Sequence, residues 1–423
     1  MLDVKFIRSN VEIVKEAARN KGVDVDIDRI VSLDASIRNS ISSIEAMRKE
    51  RKDIARLYAK TSDEEKAEAS IKARALADKI AAAESEEQSL QSELNSLLLI
   101  TPNIPDVTAP IGPDARSNVV VRKIGELPRF DFQPIDHVDL LQARDWGDLK
   151  KTTEISGSRT YSLKNALVRL ELALINFALD RLAAEGFTPI TVPPFAREQA
   201  LMGTGHFPLG REDAYRLGED DLYLIGTSEV ILNSLHSNEI LDEAALPILY
   251  AGYSGCFRRE AGSSGRDVRG LLRVHHFTKV EQFVLCRNDP EESRRWHERL
   301  LRISEDILSA LELPYQVIEC CTGDMGLGKV RMHDIETWVP SQEAYRETHS
   351  CSTLHEWQAR RTNTRYRQAG TKQIQYVHTL NNTAIATPRI FVPLLENHQR
   401  RDGRVHIPKA LRPYMMGQEV PML

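Results

Sequence analysis

Arg258-Arg259-Glu260-Ala261-Gly262-Ser263-Ser264-Gly265-Arg266-Asp267-Val268-Arg269-Gly270, running on to Val274-His275-His276-Phe277, decides how the rest of the chain is read. Arginine stands at 258, 259, 266, 269 and 273 among closely spaced glycines, with Phe277 at the exit. Glycine allows a tight loop, and the planar guanidinium grips phosphate through paired hydrogen bonds. An aromatic ring at the exit suits stacking under a purine. The combination describes a nucleotide clamp that is neither a Walker loop nor a Rossmann turn, because no GxxxxGK[ST] or GxGxxG occurs in the 423 residues. Taken alone, the loop is better read as a solvated arginine-rich hairpin, and its neighbours overturn that reading.

The bulk numbers set the frame. A chain of 423 residues exceeds one simple core and implies two or three domains. Net charge is −5, from 56 basic and 61 acidic residues, so any RNA contact must come from a local patch. The five cysteines (256, 286, 320, 321, 351) are odd in number and scattered, which argues for a reducing compartment and buried thiols. The opening MLDVKFIRSN resembles neither a signal nor a transit peptide, and no apolar run reaches membrane-spanning length. A cytoplasmic protein with no membrane partner is expected.

The chain divides near residue 105. Ahead of that point, Ile30, Leu33, Ile37, Ile44, Met47, Ile54 and Tyr58 form one heptad seam. Ala73, Leu76, Ile80, Ala83, Leu90, Leu94 and Leu97 form a second. Each seam is narrow enough to need one partner helix, so residues 30–100 are expected to form an antiparallel coiled-coil hairpin projecting about 45 Å. Ser62 and Glu65 fit a capping box opening the second helix. A spacer or dimerisation coil is one use for such an arm. The other is an RNA probe: Arg48, Lys49, Arg51, Lys52, Arg56 and Lys60 face only Glu50 and Asp53, which suits phosphate-backbone contacts. Pro102 and Pro105 then stop the helix. Beyond them, helical runs at 163–184 and 291–311 alternate with short strand-like strings at 222–225, 282–285 and 373–379. That mixture predicts an α+β domain over 106–423, built on an antiparallel sheet, behind an arm over 1–105.

Three ordered segments then stand out: Gly186-Phe187-Thr188-Pro189-Ile190-Thr191-Val192-Pro193-Pro194-Phe195 behind a helix, the arginine loop, and Leu380-Asn381-Asn382-Thr383-Ala384-Ile385-Ala386-Thr387-Pro388-Arg389. They resemble motifs 1, 2 and 3 of the class II aminoacyl-tRNA synthetases. Gly226-Thr227-Ser228-Glu229 and Arg346-Glu347-Thr348-His349-Ser350-Cys351-Ser352, followed by Gln358-Ala359-Arg360-Arg361, resemble the seryl branch of that class. The likeness spans essentially the whole chain, arm included.

The resemblance implies activation of serine by ATP and Mg²⁺, with transfer to tRNA(Ser) and, where that tRNA exists, tRNA(Sec). It also implies a homodimer formed through motif 1. By position, Arg258 would hold the α-phosphate and Arg389 the γ-phosphate, and Glu347 and Ser350 would ligate Mg²⁺. Arg259, Glu260, Val274, Phe277, Thr348 and His349 would complete the ATP site. Thr227, Ser228, Glu229, Glu281 and Thr383 would form the serine site. The chemistry wants such residues, since attack of a carboxylate on a phosphate needs positioning and charge neutralisation more than proton transfer. The adjacent His275 and His276 point apart on a strand and make a poor metal pair.

Motif 3 departs from the common bacterial form: Asn382, Ala384 and Pro388 stand where that form has glycine, and Thr383 replaces serine. Pocket shape is the property this bears on. Two rival readings remain, an amino-acid-activating paralogue that loads a carrier other than tRNA, and a non-catalytic regulator. Retention of the basic hairpin weighs against the first, and retention of Arg258, Glu347 and Arg389 against the second.

Overall fold

Two long helices, Ile27–Tyr58 and Asp63–Ile100, dominate the first of two units, Met1–Pro102. The computed structural model describes residues 1–58, 63–261 and 269–419. Ser62 of the expected capping box, Lys60, and the 262–268 part of the arginine loop with Arg266 therefore lie outside the described residues. Cross-helix pairs Arg29–Glu93 at 2.7 Å and Arg48–Glu84 at 2.8 Å show that the helices run antiparallel. Their seam buries Ile30, Leu33, Ile37 and Ile44 from one helix against Leu76, Ile80 and Leu94 from the other. At the base Leu98, rather than Leu97, is the fully buried residue. A straight α-helix drifts against a strict heptad, so the position four after Leu94 inherits the seam. Two short helices, Val4–Ser9 and Val11–Asn20, precede the hairpin, the first capped by Asp3, which accepts from the Lys5 amide at 2.7 Å.

The second unit, Asn103–Leu423, is organised by an eight-stranded sheet. Its strands are β1 (Val119–Ile124), β2 (Thr188–Thr191), β3 (Ile248–Phe257), β4 (His276–Cys286), β5 (Tyr315–Glu319), β6 (Arg331–Val339), β7 (Ala344–His355) and β8 (His378–Thr387). Their spatial order is β1-β5-β6-β7-β8-β4-β3-β2. Every neighbouring pair is antiparallel except β2 with β3, which is parallel. The expected antiparallel sheet is thus amended at one edge, where the residues between Thr191 and Ile248 supply the long crossover that a parallel pair requires. The string at 282–285 falls inside β4, while 373–379 divides between a short strand, Ile374–Tyr376, and the start of β8.

Helices Ala166–Ala184 and Pro290–Ala310 cover one face of the sheet, burying Leu170, Leu174, Leu300 and Ile307 with Val280, Val284, Leu380 and Ala384. All five cysteines are free and buried. A polar layer crosses this interface. The Gln282 and Asn382 side-chain amides both donate to Ser304 Oγ at 2.9 Å, and Ser304 donates to the Thr383 carbonyl at 2.8 Å. Ser304→Ala strips this layer of its hub and leaves the Gln282 and Asn382 amides only the Leu300 carbonyl to share, so it should cost about 1–3 kcal/mol in urea unfolding. A cost near zero would show that the layer does not hold the sheet to the helix.

Candidate active site

The opposite face of the same central strands opens into a cavity of about 320 Å³. Alternation decides what lines it. On β4, Phe277, Lys279 and Glu281 face the cavity, whereas Val280, Gln282 and Val284 face the helices. On β8, Asn381 and Thr383 face the cavity, and Glu281 lies directly across from Thr383 in the ladder.

Twelve of the residues singled out from the sequence line this one cavity: Thr227, Glu229, Arg258, Glu260, Val274, Phe277, Glu281, Glu347, Thr348, Ser350, Thr383 and Arg389. Arg258 lies over the Phe277 ring, 5.2 Å from its centroid, and its Nη2 donates to the Gly226 carbonyl at 3.3 Å. Glu260 adopts a left-handed backbone (φ 54°) and accepts from Arg273 Nη1 at 2.6 Å. Arg389 donates through Nε to the Leu272 carbonyl at 3.1 Å and through Nη1 to Glu347 Oε1 at 3.3 Å.

Three predicted residues do not reach the cavity wall. Ser228 is buried behind it, its Oγ turned to the Gly252 carbonyl at 3.4 Å; the glycine leaves room for that hydroxyl. Arg259 sits in the entry loop, its backbone amide donating to the Asp213 carbonyl at 2.9 Å. His349 occupies the helix-side face of β7, and its Nε2 bonds the Ala384 carbonyl at 3.0 Å. The two adjacent histidines diverge as expected: His275 Nδ1 bonds the Arg258 carbonyl at 2.9 Å, and His276 stacks on Tyr161 at 4.6 Å.

Sequence reasoning passed over Lys279, although its place two residues before Glu281 on a strand puts both on one face. Lys279 Nζ donates to Thr227 Oγ1 at 2.8 Å and pairs with the Glu281 carboxylate. Burial pushes the Glu281 carboxyl above its ordinary range, with Lys279 pulling the other way. Thr204, His206, Asn381 and Trp357 also line the cavity. Beside it, burial raises the Asp334 carboxyl to about 7, with Glu347 reinforcing and Lys329 opposing the shift. Asp334 faces Ser350 across the β6–β7 ladder, and its buried Oδ1 has no hydrogen-bond partner.

On the arm, Arg48, Lys49, Arg51, Lys52 and Arg56 are all exposed. Arg48 pairs with Glu84, and Arg56 lies 3.7 Å from Asp53.

Residues 214–398 match the tRNA synthetase class II core domain (G, H, P, S and T), and residues 1–105 match the seryl-tRNA synthetase N-terminal domain. The chain is 51% identical over 420 residues to the serine–tRNA ligase of Deinococcus radiodurans, covering 99% of each. Among solved structures it is similar to seryl-tRNA synthetase from Pyrococcus horikoshii complexed with ATP (40% identity, TM-score 0.93, 100% of both chains). It is also similar to the cytoplasmic serine–tRNA ligase from Naegleria fowleri in complex with AMP (30% identity, TM-score 0.89, 100% and 99% coverage).

Buried histidines give the sheet around this site an acid limit. Burial lowers His349 to about 4 and both His333 and His378 to about 3. Each is neutral in the folded chain and free to protonate in the unfolded one. The stability they contribute is therefore complete above about pH 6.5 and is lost as pH falls towards those values. Lowering pH from 7 to 5 should reduce the unfolding free energy by up to about 2 kcal/mol per such group. His349→Gln should flatten that slope by one group's share, and an unchanged slope would remove His349 from the account.

Proposed function

The chain belongs to the seryl-tRNA synthetase family, and from that premise we propose how its residues divide the work. It is a class II serine–tRNA ligase, activating L-serine with ATP to seryl-adenylate and passing the seryl group to the 3′-end of tRNA(Ser). The observation that carries the residue assignment is the convergence of Arg258, Arg389, Glu281, Glu347 and Thr383, from segments far apart in sequence, on one cavity.

In the first step a serine carboxylate oxygen attacks the α-phosphorus and pyrophosphate leaves; no proton need move. Arg258 holds the α-phosphate against that carboxylate, and Arg389 braces the γ-phosphate, so both meet charge on the phosphoryl oxygens. Phe277 stacks on the base, with Glu260 and Val274 completing its pocket and Thr348 lining the phosphate side. Arg259 and His349 support the site from behind its wall. Glu229 and Glu281 grip the serine ammonium, while Thr227 and Thr383 hydrogen-bond its polar atoms. Ser228 fills the space left by Gly252. Alanine leaves such donors and acceptors unpaired, which is how a hydroxyl-specific site rejects it.

The residues present fit a hard cation. Glu347 and Ser350 turn oxygen donors into the cavity, and the unpartnered Asp334 Oδ1 lies on the residue across the ladder from Ser350. Glu347 and Ser350 would hold Mg²⁺ there, and the chemistry it would supply is neutralisation of the negative charge that develops on the phosphoryl oxygens.

We assign residues 1–105 to tRNA binding and 106–423 to catalysis. Arg48, Lys49, Arg51, Lys52 and Arg56 contact the tRNA backbone, and tRNA(Sec) is charged where it occurs. A homodimer is supported by exposed Val168 and Leu172 on the motif 1 helix. No described helix is long and apolar enough to cross a membrane, in keeping with a cytoplasmic enzyme.

Arg258→Ala should lower serine-dependent ATP–pyrophosphate exchange by roughly 10²–10³-fold without changing the oligomer seen by light scattering; near-normal exchange would refute the assignment. Replacing residues 37–94 with a short turn should spare exchange and abolish tRNA charging. A truncated enzyme that still charges tRNA would sink the arm's role, and full-length exchange without charging would point to another acceptor.

A further inference from the structure

Glu229 owes its orientation to a residue outside the cavity. Gln358 opens the helix Trp357–Thr362 at its second position, is fully buried, and contributes nothing to the cavity surface. Its Nε2 donates to Glu229 Oε1 at 2.6 Å and to the Thr204 carbonyl at 3.2 Å, while its Oε1 accepts from Thr379 Oγ1 at 2.7 Å. A carboxylate and a carbonyl only accept, so the amide nitrogen must face them and the amide has one possible orientation. Thr379 is buried as well and sits on β8, on the face it shares with Asn381 and Thr383. Gln358 therefore ties together the Thr204 turn, the start of the Glu229 helix and the central sheet.

We propose that Gln358 is a positioning residue that fixes Glu229 for the substrate ammonium and thereby sets the amino-acid selectivity of the pocket. This rests on the reading of Glu229 as an ammonium ligand. Charge explains why an amide does this work. Of the two carboxylates read as ammonium ligands, Glu281 is already matched by Lys279. A cation on Glu229 would neutralise it and compete with the substrate. A neutral donor at 2.6 Å instead makes a strong, charge-assisted bond that orients the carboxylate and leaves its charge for the ligand. The second oxygen of Glu229 remains available to the cavity that the residue lines.

The test compares L-serine with 3-hydroxypropanoate, which keeps the hydroxyl and carboxylate but lacks the ammonium, in ATP–pyrophosphate exchange by full-length enzyme. Gln358→Met keeps length and volume but removes the donor. It should raise KM for serine roughly tenfold, as expected for one charged hydrogen bond, and leave the inhibition constant of 3-hydroxypropanoate within about twofold. An unchanged serine KM overturns the proposal. So does a parallel loss for both ligands, which would mean that the wall merely sags. Glu229→Gln separates the layers of the argument. If that variant keeps the full advantage of serine over 3-hydroxypropanoate, the ammonium reading itself fails. If it loses the advantage and Gln358→Met does not, only the positioning role fails. Should Gln358→Met not fold, Thr379→Val removes the donor that orients the amide and should move the same ratio in the same direction; an unmoved ratio then counts against the proposal.

Discussion

The register of β4 against β8 is the constraint on which the rest of the catalytic unit depends. Both strands are buried on both faces, and the two faces carry opposite chemistry. One face sends Val280, Val284, Leu380 and Ala384 into the helical core; the other sends Lys279, Glu281 and Thr383 into the cavity. Side chains alternate with a period of two, so a slip of one residue would bury two charges in the core and turn its apolar residues into the site. The polar layer at Ser304 works against such a slip. Gln282 and Asn382 face each other across the ladder, and their amides meet a single hydroxyl on the Pro290–Ala310 helix. Only one register delivers both amides there. A buried, fully used hydrogen-bond hub thus specifies where the chemistry on the far face lies.

Within the cavity, the arrangement is a problem in charge balance. Glu260 is held by Arg273, Glu281 by Lys279 and Glu347 by Arg389, each within one ion pair of neutrality. Among the described residues, Arg258 has no ion pair and keeps its position through the Gly226 carbonyl and the Phe277 ring. Glu229, held by an amide, is its opposite in sign. Arg258 and Glu229 thus offer one charge of each sign to a zwitterionic amino acid and a phosphate chain. Arg389, Glu281 and Glu347 share their charge between a protein partner and the ligand, while Arg258 and Glu229 keep most of theirs for the ligands.

How much of this was legible follows from which contacts are local. The arm's seams were readable because a helix repeats its own pattern, and the error at Leu97 against Leu98 is the drift of that repeat. The cavity residues were readable as motifs, and Lys279 could have been added from strand alternation alone. The parallel edge at β2 was not readable, since nothing in Thr188–Thr191 states the direction of its neighbour. The His297–His333 contact at 2.9 Å and the Gln358–Glu229 bond join residues 36 and 129 positions apart, which no local period encodes.

The glycine-poor third motif shows why a departure from a pattern must be judged by the face it falls on. Asn382 and Ala384 both point away from the cavity, the first to the Leu300 carbonyl and Ser304, the second into the apolar core. Replacing glycine at those two places changes how the sheet packs on its helices, whereas Pro388, the third departure, lines the cavity together with Asn381 and Thr383. The glycines that do shape the cavity lie elsewhere. A Cβ on Gly205, whose φ is +84°, would fall 2.4 Å from the Trp357 ring, and one on Gly328 would fall 2.5 Å from it. The indole is thus wedged between two backbones, with the Arg361 guanidinium 3.6 Å over its centroid. That wedge fixes the start of the helix carrying Gln358, so the bare backbone at 205 and 328 governs the pocket more directly than the missing glycines at 382 and 384.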